Sequence, residues 1–137
     1  MHVLREVHKT LKPNGLLLDV HPQPEDPRVE VLYQDEFVPV GNIDWTNDSR
    51  EIRQARRRLA GLQRAGLFVL DRRRRFEARS YYESVDTWLE HRREHGWTSV
   101  IPPQVLRDAR GLMRAGGRAV VVREKVRASL FRRATPP

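Results

Sequence analysis

A turn between an amphipathic segment and an apolar run constrains this chain most. Residues 11–22 read LKPNGLLLDVHP, and the apolar residues that lead into them recur at helical spacing. This pattern predicts a helix over residues 2–12 that ends at the proline, because proline has no N–H to donate. Asn14 or Gly15 is expected to adopt a positive φ in the turn. Residues 16–20 then predict a short strand that is apolar on both faces, as in a parallel sheet covered on both sides.

The segment over residues 3–22, VLREVHKTLKPNGLLLDVHP, resembles the part of class I S-adenosylmethionine-dependent methyltransferases that leads into their fifth strand. In that family, a helix is followed by the sequence motif L-K-P-G-G and then by an apolar strand. Asn14 stands where the first glycine is usual, and asparagine also tolerates a left-handed backbone. The resemblance implies that this chain corresponds to the family's C-terminal half, with strands five to seven, the last of them antiparallel. The expected fold class is therefore α/β: part of a Rossmann-like sheet of mixed parallel and antiparallel strands, with flanking helices and an inserted β-hairpin.

The glycine-rich turn that binds the cofactor in this family does not occur in the sequence. Such a turn allows backbone N–H groups and a helix N-terminus to approach the ligand closely. No G-x-G-x-G is present, and the pair Gly116-Gly117 precedes a predicted strand instead of following one. We therefore expect the chain alone to bind no cofactor and to catalyse nothing. S-adenosylmethionine would bind only if an N-terminal half completed the fold.

Composition limits the other classes of function. The 137 residues include 26 Lys and Arg against 18 Asp and Glu, a net charge of +8, which permits contact with nucleic acid. The absence of cysteine excludes disulfides and thiolate sites. Neither a secretion signal nor an apolar run of membrane-spanning length is visible, so we expect a cytoplasmic protein without a membrane partner. One α/β domain is predicted over residues 1–133, with a disordered tail over residues 134–137.

The remaining elements follow from periodicity and turn signals. Alternation over residues 28–43 predicts the β-hairpin, with its turn at Asp35-Glu36. Residues 48–51 have the spacing of a capping box for the next helix, and Ser84 is expected to cap a later one. Helices are predicted over residues 49–65, 85–95 and 102–115, and long strands over residues 67–80 and 118–132.

Candidate substrate contacts follow from the resemblance. Ligands of open α/β sheets bind at the carboxyl ends of the strands. This places five residues on the substrate side: Asp19, His21, Tyr33, Asp44 and Trp45. His21 could act as a base near neutral pH, or it could be a hydrogen-bonded structural histidine. No residue is assigned a catalytic role.

Arginine supports an alternative hypothesis, a non-catalytic module that binds nucleic acid or an acidic protein partner. Arginines occupy the polar faces of the helix over residues 49–65 and form the run 72–75. Residues of a strand alternate sides, so the run is not expected to form one flat patch. No aromatic-rich nucleic-acid motif accompanies the charge. Residues 91–95 spell H-x-x-E-H, the order of a zinc-peptidase motif, but a third ligand is hard to find downstream, and we predict no metal site.

An open strand edge predicts a partner. In the family, strand five pairs with a strand four that this sequence lacks. An unpaired apolar edge readily pairs with another chain. We therefore expect a homodimer, or a complex with a complementary N-terminal chain, formed through the edge of residues 16–20.

Overall fold

The computed structural model describes residues 2–135, which contain four helices and five strands. The helices are α1 (His2–Thr10), α2 (Ser49–Arg64), α3 (Val85–Glu94) and α4 (Pro103–Arg114). The strands are β1 (Leu16–Pro22), β2 (Arg28–Tyr33), β3 (Glu36–Asn42), β4 (Phe68–Tyr82) and β5 (Ala119–Arg133). The contacts divide these residues into two compact units: unit one comprises residues 2–23, 51–76 and 126–135, and unit two comprises residues 24–50 and 77–125. The single domain expected over residues 1–133 stays a prediction.

The five strands form an antiparallel sheet in which β5 has the most neighbours. β1 pairs with residues 126–132 of β5, β2 pairs with residues 119–123, and β4 also pairs with β5. β3 completes the hairpin with β2. The α/β class is confirmed in its coarse form. The prediction of a Rossmann-like sheet with mixed parallel and antiparallel strands is wrong, because every pairing in the sheet is antiparallel.

β1 is an edge strand rather than the buried parallel strand predicted from its apolar run. It hydrogen-bonds to β5 and to no second strand among residues 2–135. Its side chains alternate in exposure along the strand. Leu16, Leu18 and Val20 on the outer face are 51%, 63% and 54% exposed. Apolar residues on both faces suggested two covered faces, but this edge strand has only one covered face.

The hydrophobic core of unit one lies against the inner face of β1. Its buried residues are Leu59, Leu62, Phe68 and Phe131, and Leu4, Leu11, Leu17, Leu67 and Leu70 pack against them. The turn before β1 is as predicted, with Asn14 at a φ of 60°. α2 ends at Arg64, and Gly66 follows as the predicted stop, where a φ of 73° lets the Leu67 N–H donate to the carbonyl of Leu62 at 3.0 Å.

The hydrophobic core of unit two joins the β2–β3 hairpin to α3, α4 and the first part of β5. Its buried residues are Val29, Val31, Val40, Ile43, Val85, Trp88, Val105, Ala109, Val120 and Val122. The predicted hairpin is confirmed, but its turn is formed by Gln34 and Asp35, one residue earlier than expected, with φ values of 49° and 62°. Gly41 has a φ of 141°, and a Cβ built there would lie 2.6 Å from Val105 Cγ2. This glycine allows α4 to approach β3 closely.

Asp48 holds a loop instead of forming the predicted capping box. Its carboxylate accepts the backbone N–H groups of Thr98 and Ser99 at 3.1 and 2.9 Å, and both hydroxyls as well. Asp48 therefore fixes the segment that leads into α4 and is not available to α2. The predicted cap of α3 is confirmed, since Ser84 Oγ accepts the Thr87 N–H at 3.0 Å.

Within the described residues, we find no helix with the length and apolar character needed to cross a membrane. The cytoplasmic location stays a prediction. Of the tail predicted over residues 134–137, Ala134 donates a backbone hydrogen bond to the Leu67 carbonyl at 3.0 Å, whereas Pro136 and Pro137 lie outside the described residues.

Candidate functional site

The inner face of β1 changes from apolar to polar along the strand. Leu17 packs on the core of unit one, and Asp19 and His21 follow it on the same face because strand residues alternate sides. Across the ladder, Asp19 lies opposite Ser129 and His21 lies opposite Arg127. The carboxyl end of β1 therefore brings an acid and an imidazole next to a guanidinium.

Asp19 and His21 lie side by side on this face. His21 Nδ1 lies 2.9 Å from Asp19 Oδ2, and this contact becomes an ion pair only when the imidazole is protonated. Burial lowers the pKa of His21 below its usual 6.5. Asp19 opposes this shift, while the nearby Arg127 and Arg56 reinforce it. The imidazole is consequently neutral at pH 7.

An open cavity of about 700 Å³ lies between α2 and the strands of unit one. Five arginines line it: Arg53, Arg56 and Arg57 from α2, Arg73 from β4 and Arg127 from β5. Leu59, Ala60 and Phe131 form an apolar wall beside them. We call this feature the arginine cavity. The α2 arginines converge because residues three and four apart share one face of a helix.

Arg127 is the buried centre of this charge. It is only 7% exposed, and its Nε has no hydrogen-bond partner among the described residues. Burial lowers the pKa of the Arg127 guanidinium, and Arg56 and Arg73 lower it further, against the opposing attraction of Asp19. Arg73 in turn donates from Nε to Ser129 Oγ at 3.0 Å. Positive charge is thus concentrated at a partly desolvated position.

The arginine cavity lacks the acidic partners that arginines have elsewhere in this chain. None of its five arginines forms an ion pair with a carboxylate in the described part of the chain. Five other arginines do form such pairs: Arg28, Arg110, Arg118, Arg123 and Arg132. The cavity therefore presents guanidinium groups to any anionic ligand.

A second, smaller cavity in unit two has balanced charges. It measures about 320 Å³, and Arg123 and Glu77 are among the residues that line it. Arg123 contacts the buried Glu30 at 3.0 Å and Glu77 at 3.4 Å, and Arg28 lies 3.6 Å from Glu30. These charges satisfy one another, so this cavity has no net preference for an anion.

The other three substrate-side candidates lie in unit two and support turns. Tyr33 Oη accepts a hydrogen bond from the Gln34 side chain at 3.2 Å. Asp44 Oδ1 accepts from the Thr46 hydroxyl at 2.7 Å and its N–H at 3.1 Å, which lowers the Asp44 pKa. The Trp45 N–H donates to Asp26 Oδ1 at 3.0 Å. The substrate role of these residues stays a prediction.

The histidines of the H-x-x-E-H sequence belong to an aromatic cluster. Tyr82 Oη lies 3.0 Å from His91 Nδ1, and the rings of His91 and His95 are 4.1 Å apart, with Trp97 5.4 Å from each. Residues 2–135 contain no group of three side chains placed to hold a metal ion.

The glycines do not match the cofactor turn of the methyltransferase family. Four have positive φ: Gly66, Gly96 and Gly116 come just after helices, and Gly41 lies in β3. None of the four follows a parallel strand, since the sheet of the described residues is antiparallel. That the chain alone binds no S-adenosylmethionine stays a prediction.

Sequence reasoning did not find Arg127. The periodicity of this strand is clearest on its other face, where Val126 and Ala128 alternate. The feature of the sequence that could have indicated Arg127 is its position two residues before Ser129 and four before Phe131. These three side chains lie on the same face of a strand that has apolar residues on both faces. No family model, curated protein or solved structure matches this chain. Its functional assignment therefore rests on its own residues.

Proposed function

We propose that this chain is the substrate-side portion of a class I S-adenosylmethionine-dependent methyltransferase and that it acts with a second chain that supplies the cofactor-binding strands. The observation that carries the proposal is the edge position of β1. This strand follows the segment that resembles the family and pairs on one side with the last strand, β5, in antiparallel orientation. On its other side, no strand among residues 2–135 forms backbone hydrogen bonds with it.

The composition of β1 supports it as the edge that accepts a partner. β3 carries Pro39 and β4 carries the arginine run 72–75, and proline and cationic side chains both discourage edge pairing. β1 contains no arginine or lysine, and its one proline, Pro22, is its last residue. Leu16, Leu18 and Val20 remain exposed on its outer face. A strand added along β1 would satisfy its backbone groups, and the elements attached to that strand would cover these side chains.

The carboxyl end of β1 would then border the substrate. Ligands in open α/β sheets bind at this end of the strands. His21 is the proposed proton acceptor, because its lowered pKa keeps it neutral at pH 7. Asp19, 2.9 Å away, would hold the imidazole in place. S-adenosylmethionine would be bound by the complementary chain and not by this chain alone.

Coexpression tests this proposal. We would express the chain with the product of a neighbouring reading frame that encodes G-x-G-x-G, and measure copurification, then S-adenosylmethionine binding by calorimetry. A stable complex that binds the cofactor is expected, and Leu18→Lys should abolish it because the lysine adds charge to the pairing edge. Val69→Lys, at a similarly exposed position of β4, is the control and should leave the complex intact.

Two results would contradict the proposal: a chain that stays monomeric in light scattering with every such partner, or a complex that binds no cofactor. A homodimer that Leu18→Lys dissociates would show that β1 pairs with a second copy of itself instead.

The second candidate function is a non-catalytic module that binds nucleic acid. It is favoured by the five arginines that converge on one cavity and form no ion pair with a carboxylate of residues 2–135. Binding to single-stranded RNA should weaken with salt, with a slope of about −2 to −3 in a plot of log affinity against log salt if three or four phosphates are contacted. Affinity that does not change with salt would count against this function.

A further inference from the structure

We propose that the arginine cavity binds a phosphate ester, with the phosphate held by Arg127 and the α2 arginines and the rest of the ligand against Leu59 and Phe131. The site gives the second candidate function a defined location and rests on it. It does not depend on the methyltransferase relationship or on the edge of β1.

Arg127 occupies an energetically unfavourable position in the absence of an anion. A charge that is removed from water without a counterion is costly. Arg127 is nine-tenths buried, its Nε has no partner within residues 2–135, and its charged neighbours Arg56 and Arg73 repel it. The negative charge of Asp19 acts on Arg127, but Asp19 also contacts His21. An anion in the cavity would offset this repulsion.

The arginines of α2 are arranged so that they repel one another. Like charges three and four residues apart destabilise a helix, and Arg53 has this spacing to both Arg56 and Arg57. Glu51 is the one acidic residue of α2. A phosphate with two negative charges would interact favourably with several of these groups at once, because the planar guanidinium fork matches phosphate oxygens in a bidentate geometry.

The size of the cavity and its apolar wall fit a ligand larger than phosphate alone. A volume of about 700 Å³ is typical of a site for a small organic ligand and larger than a single phosphate needs. Leu59, Ala60 and Phe131 offer apolar contact beside the guanidinium groups. A phosphate esterified to an apolar or flat ring group, such as a nucleotide unit, satisfies both parts of the cavity.

Calorimetric titration of the full chain with adenosine 5′-monophosphate, adenosine and inorganic phosphate tests the site. We expect the monophosphate to bind, adenosine not to bind, and phosphate to bind more weakly than its ester. Arg56→Gln should weaken the monophosphate at least about tenfold, because a hydrogen bond to a charged group is lost. Arg58→Gln is the matched control: it lies on the same helix, does not line the cavity and should change the affinity less than about twofold.

A parallel titration with a short oligouridine separates the two sources of the phosphate. Binding of the monophosphate that depends on Arg56 supports a free phosphate ester as ligand. Binding of oligouridine alone, with the same dependence on Arg56, supports a nucleotide within an RNA chain. Binding of neither probe overturns the proposal, as does an equal loss in Arg56→Gln and Arg58→Gln.

Arg127→Lys gives a second, independent variant. The lysine retains the charge but removes the guanidinium fork, so binding should weaken while the far-ultraviolet circular dichroism stays that of the wild type. Unchanged affinity in a folded Arg127→Lys protein would overturn the role of Arg127. If this variant does not fold, the pair of α2 variants still decides the proposal.

Discussion

At the scale of the residue, burial decides the chemistry of the charged groups in unit one. His21 and Arg127 lie opposite each other on adjacent strands and both have lowered pKa values, with burial as the main cause. Each is thus less easily protonated than in water. The negative charge of Asp19 raises the pKa of both groups and therefore limits how far burial lowers them.

The stability of the protein should depend on pH through His21. Because its folded pKa lies below the ordinary 6.5, the unfolded chain takes up a proton more readily, and stability present above about pH 6.5 is lost as the pH falls through the folded pKa. In urea unfolding at several pH values, His21→Asn should lose less stability than the wild type between pH 7 and 5. The difference should be below the roughly 1.4 kcal/mol per pH unit that one full proton gives.

Asp19→Asn is the matched variant for this measurement. Removal of the carboxylate lowers the His21 pKa further, so the acid-side loss of stability should continue to lower pH than in the wild type. Identical pH profiles for wild type and His21→Asn would contradict the burial of this imidazole.

At the scale of the element, polar side chains decide how loops are held between helices and strands. Asp48 joins the start of α2 to the loop before α4, and the adjacent Asp44 forms a β-bridge with Val100 in the same loop. Arg92, which is 7% exposed, donates to the carbonyl of Ser99, and the negative charge of Asp48 partly offsets the burial that lowers its pKa. These residues form one network.

Asp48→Ala should destabilise the protein by about 2 kcal/mol in urea unfolding, because the Ser99 N–H would be left without its acceptor and Arg92 without its carboxylate. Burial by itself raises the Asp48 pKa, but the hydrogen bonds from Ser99 and Thr98 outweigh it and the pKa lies below 3.8. The stability that Asp48 provides is therefore lost as the pH falls through this lowered pKa, and the gap between wild type and variant should close there.

Asp44→Ala is the control for this prediction, since its exposed carboxylate bonds to the neighbouring Thr46 and should matter less. Equal losses in the two variants would show that the Asp48 network does not stabilise this loop.

At the scale of the whole molecule, the net charge of +8 predicts a response to salt. Repulsion among like charges destabilises a compact state, and salt screens it with a Debye length of about 10 Å at 0.1 M. Raising NaCl from 20 to 300 mM should stabilise the protein by about 1 kcal/mol in urea unfolding. Arg56→Gln should reduce this gain and Arg58→Gln should reduce it less, because Arg56 lines the arginine cavity and Arg58 does not. A loss of stability on adding salt would mean that the ion pairs outweigh the repulsion.

The local features of this protein follow from its sequence alone. Helical spacing before residue 12, alternation over residues 28–43, the stop at Gly66 and the cap at Ser84 all appear in the structure. Each depends on interactions between residues close in the chain, and such interactions leave a periodic or positional signal.

Strand pairing and the arginine cavity required the tertiary structure. The run over residues 16–20 reads the same in a parallel and an antiparallel sheet, and only its pairing with β5 assigns it to an antiparallel edge. The sequence predicted that Asp48 caps α2, but its carboxylate instead accepts hydrogen bonds from residues about fifty positions away in the chain. Likewise, Arg56, Arg73 and Arg127 are far apart in sequence and meet only because α2 packs over β4 and β5 in unit one. Contacts between distant residues depend on register and packing, which no local pattern encodes.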